Sequence, residues 1–230
     1  MKHIATLLLL SVLFFPGCAK KADWHQKLVL YLDTPTGPMT ASSVIRVDFT
    51  GARAWMQQMD SNHTDLTGEA VVADLGGRYL FALIEEGAGK LIWLILSNEN
   101  EDVGGFKESI RRVERQAEPL EVPRKLWPQM VTFGDIHDPK TVQLVDPHDL
   151  AASFGPGYAI RRLTIQVTEE PVTQGRVEAV LSASFFRTIA KNMKAALRRA
   201  SEARKRGENE PYFRTLASEI TRNEFIRGNK

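Results

Sequence analysis

One cysteine, Cys18, stands in a chain of 230 residues, so no disulfide can close within it. Stability must come from packing, unlike in small secreted domains stapled by several bridges. Charge of one sign is missing as well: 30 Lys and Arg face 28 Asp and Glu. That balance argues against a strongly basic nucleic-acid binder and against a disordered polyelectrolyte. No apolar run reaches the ~20 residues that cross a bilayer as a helix. The run from Ile4 to Phe15 is too short and is closed by Pro16, which breaks helices. Catalytic signatures are absent too: there is no Gly-x-Ser-x-Gly elbow, no Gly-x-x-x-x-Gly-Lys phosphate loop and no His-Glu-x-x-His helix. What the chain does have is 43% apolar residues, enough to bury a core.

The start of the chain carries an address. Lys2 and His3 precede the apolar run, and Pro16-Gly17-Cys18 follows it, which is the order of an export signal. Gly17-Cys18 resembles the bacterial lipobox, in which a cysteine after a small residue receives a diacylglyceryl thioether and becomes the new N-terminus. Phe15 and Pro16 depart from the usual leucine and small residue upstream. The alternative is an ordinary secretory signal cut after Ala19. Lipidation would consume the lone thiol, which rules out a cysteine nucleophile, and several acyl chains would anchor stably where one would not. Residues 1–17 are therefore expected to be a signal peptide and 18–25 a lipid-anchored tether. The site is the cell envelope, at a membrane facing the periplasm; Ala19 after the cysteine resembles outer-membrane sorting.

Beyond the tether the pattern is mostly that of strands. Leu28, Leu30 and Leu32 alternate with Val29 and Tyr31, Pro35-Thr36-Gly37-Pro38 supplies a turn, and Val44 to Phe49 resumes with β-branched residues. This predicts a hairpin. Ala70 to Leu75, Tyr79 to Ile84 and Leu91 to Leu96 are apolar runs separated by Gly76-Gly77 and Gly87-Ala88-Gly89, which predicts strands covered on both faces with antiparallel neighbours. Trp55 to Thr67 reads as a short helix or loop. Phe106, Ile110, Val113 and Ala117 recur at helical spacing and predict an amphipathic helix ending before Pro119. Ala159 to Thr168 alternates again as a half-buried strand of the same sheet. The expected fold is α+β: one domain over 26–176 on a largely antiparallel sheet with flanking helices, followed by a helical region over 177–230.

Between these elements lies the most distinctive local pattern. Asp138-Pro139 and Asp146-Pro147 each place a capping aspartate before a proline suited to the first helical position. Asp149 follows Asp146 at the capping-box distance, and Gly155-Pro156-Gly157 ends that helix after Phe154. The same stretch contains His137, Asp138, His148 and Asp149, residue types that ligate zinc and similar ions. Their spacing matches no helical His-x-x-x-His pair, so capping is the preferred reading. The metal site, holding a hydrolase acting on an envelope substrate through Asp135 to Asp149, is the alternative. No catalytic residue and no cofactor are assigned. Ser42-Ser43 reads as structural, and the Asn62-His63-Thr64 sequon carries no weight in a bacterial envelope protein.

From Val177 to Arg206 the chain turns helical, with Phe186, Ile189, Met193, Leu197 and Ala200 as an apolar stripe. Arg187, Lys191, Lys194 and Arg198 form a basic one, enlarged by Arg199, Arg204, Lys205 and Arg206 and opposed by Glu202. Such a helix either docks by its apolar stripe with solvated cations or contacts an anionic membrane or a partner.

Several segments together resemble a family of bacterial envelope proteins to which no activity is assigned. They are Lys27-Leu28 through Asp33-Thr34-Pro35, Gly37, Ser42-Ser43-Val44, Thr132-Phe133-Gly134-Asp135, Asp138-Pro139-Lys140-Thr141-Val142, Val145-Asp146-Pro147, and Leu150 to Gly157. The resemblance spans Lys27 to Thr173 and implies one contiguous domain, with no catalytic residue carried over. The resulting expectation is a lipid-anchored, non-catalytic binding or structural protein. Its partners would be the membrane through the anchor and an envelope protein or cell-wall component, and not nucleic acid.

Overall fold

The computed structural model describes residues 21–50, 63–99, 105–207, 216 and 220–228. Residues 1–20, with the segment expected to be a signal peptide and Cys18, and residues 51–62 lie outside the described residues. The predicted hairpin is present and longer than the alternation suggested: β1 (Lys21–Thr34) pairs antiparallel with β2 (Gly37–Thr50) from Lys21↔Thr50 to Thr34↔Gly37. Pro35-Thr36 forms its two-residue turn, and Gly37 takes φ 122°. Residues 21–25 are thus strand, which corrects the expectation of a free tether as far as residue 25.

Two antiparallel sheets carry the α+β fold. The larger runs β10-β3-β2-β1-β9-β6, where β3 is His63–Glu69, β6 Leu120–Glu121, β9 Ala159–Val167 and β10 Ile226–Arg227. The smaller runs β4-β5-β7-β8, with β4 Val71–Asp74, β5 Tyr79–Ala82, β7 Met130–Phe133 and β8 Val142–Val145. Residues paired across antiparallel strands share a face, so the registers sort the side chains. Leu30, Leu32, Ala41, Ile45, Val47, Leu163 and Ile165 form the core face of the larger sheet. Val71, Ala73, Leu80, Ala82, Met130 and Val145 form the facing side of the smaller one. The chain passes from one sheet to the other at Ala70, whose N–H donates to the Phe225 carbonyl at 2.8 Å.

The helices are α1 (Leu91–Glu99), α2 (Gly105–Glu114), α3 (Leu150–Phe154), α4 (Arg176–Val180), α5 (Ala183–Lys205) and α6 (Arg222–Phe225). Leu91 to Leu96 is helix and not the expected strand. A short apolar run is ambiguous in periodicity, and a 3-10 turn over Glu86–Lys90 leads directly into it. Residues 63–67 are strand, which corrects the helix-or-loop reading over that part of the segment. The stretch from Val177 is two helices, divided at Leu181-Ser182, with Ser182 Oγ accepting from the Phe185 N–H at 3.3 Å.

The helical region from Val177 shares the core of the sheets. Val177, Leu181, Phe185, Phe225 and Ile226 are buried in the common core. Five phenylalanines join the smaller sheet to the C-terminal elements: Phe81 meets Phe133 and Phe225 edge to face at 5.7 and 5.4 Å, and Phe133 meets Phe185 at 5.2 Å. Phe186 packs on Phe185 at 5.6 Å. Such aromatic pairs add about 0.5–1.5 kcal/mol each beyond area burial.

Candidate functional site

Gln26, Ser43 and Glu69 are the polar residues that the fold buries around one space. Gln26 and Ser43 sit in phase with Leu28, Leu30 and Ile45 on the core face of the larger sheet, and Glu69 ends β3. Between the two sheets at this level lies a half-enclosed cavity of about 190 Å³. Leu28, Ile45 and Ile165 form its floor, Val71 and Ala82 its far wall, Leu83, Ile84, Leu91 and Leu94 its roof, and Lys125 to Pro128 its rim. Gly89 brings the roof down onto the larger sheet: a Cβ there would stand 2.7 Å from Thr64 Cγ2 and 2.9 Å from Leu66 Cδ2.

Buried polar groups cost free energy unless paired, and here each has a partner. The Gln26 amide donates to the Ala88 carbonyl at 2.8 Å and accepts from the Trp24 indole N–H at 3.2 Å, which ties sheet to roof. Ser43 Oγ donates to the Glu69 carbonyl at 2.6 Å, a structural use of that serine. The Glu69 carboxylate, 1% exposed, accepts N–H groups of Gly175, Arg176 at 2.8 Å and Val177 at 3.0 Å at the start of α4. A carboxylate on otherwise unpaired helix-start N–H groups is a charge-assisted arrangement. At the rim, Glu85 Oε1 accepts from the Gln129 N–H at 2.6 Å, and Lys125 is exposed with no ion pair among the described residues.

At the same rim, Trp127 stacks on His148 with centroids 5.4 Å apart and planes at 27°. The Arg124 guanidinium lies 5.3 Å from the Trp127 ring and contacts His148 Nδ1 at 3.2 Å. Arginine has only donors, so His148 Nδ1 serves as acceptor in this contact. Trp127 is itself pinned by its indole N–H on the Val122 carbonyl at 2.8 Å.

The residues singled out for a metal do not converge. His137 lies in the turn between β7 and β8, whereas His148 follows the far end of β8, beyond Val145↔Met130. A four-residue strand separates them, about 13 Å at ~3.3 Å per residue. The acids have local duties. Asp138 accepts from the Lys140 N–H at 2.9 Å and caps the 3-10 turn Pro139–Thr141. Asp135 accepts from the His137 N–H and Asp146 from the His148 N–H, both at 2.8 Å. Asp149 caps α3 through the Ala152 N–H at 3.2 Å. The cap of α3 is therefore Asp149 and not Asp146, whose side chain closes a turn one step earlier. Among the described residues no group of three or more His, Cys, Asp and Glu side chains is placed to hold a metal ion.

Arg187, Lys191, Lys194 and Arg198 are all exposed along α5. Their helix docks by Phe185, Phe186 and Ile189, which are buried, while Leu197 of the expected apolar stripe is 54% exposed. No helix among the described residues is long and apolar enough to cross a membrane.

Comparison with known proteins is negative throughout: no family model, no curated protein and no solved structure matches the chain. The functional reading therefore rests on this geometry. Gln26 was missed, although its phase with Leu28, Leu30 and Leu32 was a signal that could have found it. Glu69 had no local signal, since its partners stand 106 to 108 positions away in the chain.

Proposed function

We propose that the chain is a lipid-anchored protein of the bacterial envelope, tethered through Cys18, whose role is to bind rather than to catalyse. What it binds in the cavity between the sheets is a small aliphatic group. The observation that supports this is the pairing of an apolar space with polar lining groups already committed to the fold. Gln26, Ser43 and Glu69 are buried and each satisfies a backbone group, so they shape the site without presenting chemistry to it. Binding sites are mostly apolar concavities with a few polar groups, and a dry cavity of roughly 150 Å³ holds a benzene ring. A space of about 190 Å³ therefore suits one apolar side chain or the end of an acyl chain, with a polar end at Lys125. The hydrolase alternative gains nothing from the geometry, because His137 and His148 stand at opposite ends of β8 and Arg124 occupies the Nδ1 side of His148.

The test is thermal unfolding of the protein with hexanol and with hexanoate, beside a Leu94→Trp variant that fills the roof of the cavity. The expected result is saturable stabilisation of the wild type by at least one of them, as ligand linkage requires, and none in the variant. A preference for hexanoate would place Lys125 at the head group. Stabilisation by neither, or equally in both proteins, would overturn the binding reading.

A further inference from the structure

We propose that the outward face of α5 is a docking surface for an anionic lipid bilayer, separate from the cavity and independent of Cys18. At 3.6 residues per turn, Arg187, Lys191, Lys194, Arg198 and Lys205 fall within one arc of about 60°, and their row is about 27 Å long at 1.5 Å per residue. All five are exposed. Phe185, Ile189 and Ala203 lie on the opposite side of the same helix and are buried. Packing of the inner face thus holds the basic row outward.

Among the described residues Arg187, Lys191, Lys194 and Lys205 have no acidic partner; Arg198 alone pairs, with Glu202 at 3.0 Å. Such a surface pair is weak and screened, so it leaves most of the positive potential in place. Ala190, Ala195 and Ser201, which flank the cations, are small and exposed. The row itself consists of cations, with Leu197 as an exposed large apolar side chain at its margin. A line of cations matches a plane of phosphate head groups, whereas insertion would need more large apolar residues on that face than Leu197 alone. Charge complementarity then drives adsorption without penetration. At physiological salt, screening acts over about 8 Å, so the helix binds only in contact with the surface.

The test is vesicle flotation of residues 18–230 carrying Cys18→Ser, which removes both the apolar run Ile4 to Phe15 and any acyl contribution. It is compared with the same chain also carrying Arg187→Gln, Lys191→Gln, Lys194→Gln and Arg198→Gln. The vesicles are phosphatidylcholine with and without phosphatidylglycerol. Each near-surface cation is worth about a fivefold change in partition, so the four-fold substitution is expected to weaken binding to the anionic vesicles by at least about a hundredfold. Binding should also fall away at about 1 M salt, where screening acts over about 3 Å. A Lys191→Arg, Lys194→Arg variant keeps the charge and should bind as the parent does. Equal flotation of the neutralised and parent chains, or equal binding to both vesicle types, would overturn the proposal. So would row-dependent retention on duplex nucleic acid with none on the anionic vesicles.

Discussion

The Glu69 carboxylate accepts the Val177 N–H at 3.0 Å, joining the end of β3 to a helix start 108 residues later. This is the point where both sheets, the cavity wall and the C-terminal helices meet, because the same residue's carbonyl accepts from Ser43 on the floor strand. Glu69→Gln replaces one acceptor oxygen with a donor facing other donors. The expected loss is about 2–3 kcal/mol of unfolding free energy, the scale of a hydrogen bond to a charged group plus an unsatisfied one. Ser43→Ala should cost about 1 kcal/mol. Urea unfolding of both variants checks the ranking; equal small losses would contradict it.

A second prediction concerns the backbone beside the cavity. Gly68 has φ 139°, and a Cβ there would stand 2.9 Å from Ile45 Cγ2 and 3.0 Å from the Val44 carbonyl oxygen. Gly68→Ala should therefore cost about 1–3 kcal/mol, mainly by moving backbone. Gly87→Ala is the control, since nothing stands within 4 Å of its Cβ. Thermal melting should separate the two; a neutral Gly68→Ala would show that β3 shifts freely against β2.

Phe133 and Phe185 supply the test of the single domain. Both are buried and meet edge to face, so Phe185→Ala should cost about 3–5 kcal/mol. It should also lower the stability of the sheets and not only of α5. Circular dichroism and tryptophan emission should follow one transition in the variant as in the parent. Two separated transitions would show that the C-terminal helices unfold apart from the sheets.

Capping of the acids predicts the outcome of a zinc titration. His137→Ala with His148→Ala should bind zinc as weakly as the parent, and neither protein should reach one equivalent in calorimetry. His148→Ala should instead alter Trp127 emission, because it removes the stacked ring 5.4 Å away. Stoichiometric zinc lost on the double substitution would revive the hydrolase reading.

How far the sequence revealed this fold depended on the range of the signal. Leu28, Leu30 and Leu32 alternate strictly and Pro35-Thr36-Gly37 turns tightly, so β1 and β2 were legible. Asp138 and Gly155 marked their elements equally well, because caps act within one turn of helix. Leu91 to Leu96 was not legible: Ile92 and Ile95 are buried at helical spacing, yet their neighbours are apolar too, which erases the period. The strand Val142–Val145 is four residues long between two Asp-Pro signals, too short to assert itself against them. Glu69 and the cavity depend on contacts across more than a hundred positions, and no local pattern encodes those.

The proposed tether at Cys18 is tested most directly by the intact mass of the mature protein recovered from membranes. A chain beginning at an acylated Cys18, with a Cys18→Ser variant unprocessed or displaced from the membrane, is the predicted result. An unmodified chain beginning near Lys20 in the soluble periplasm would contradict it.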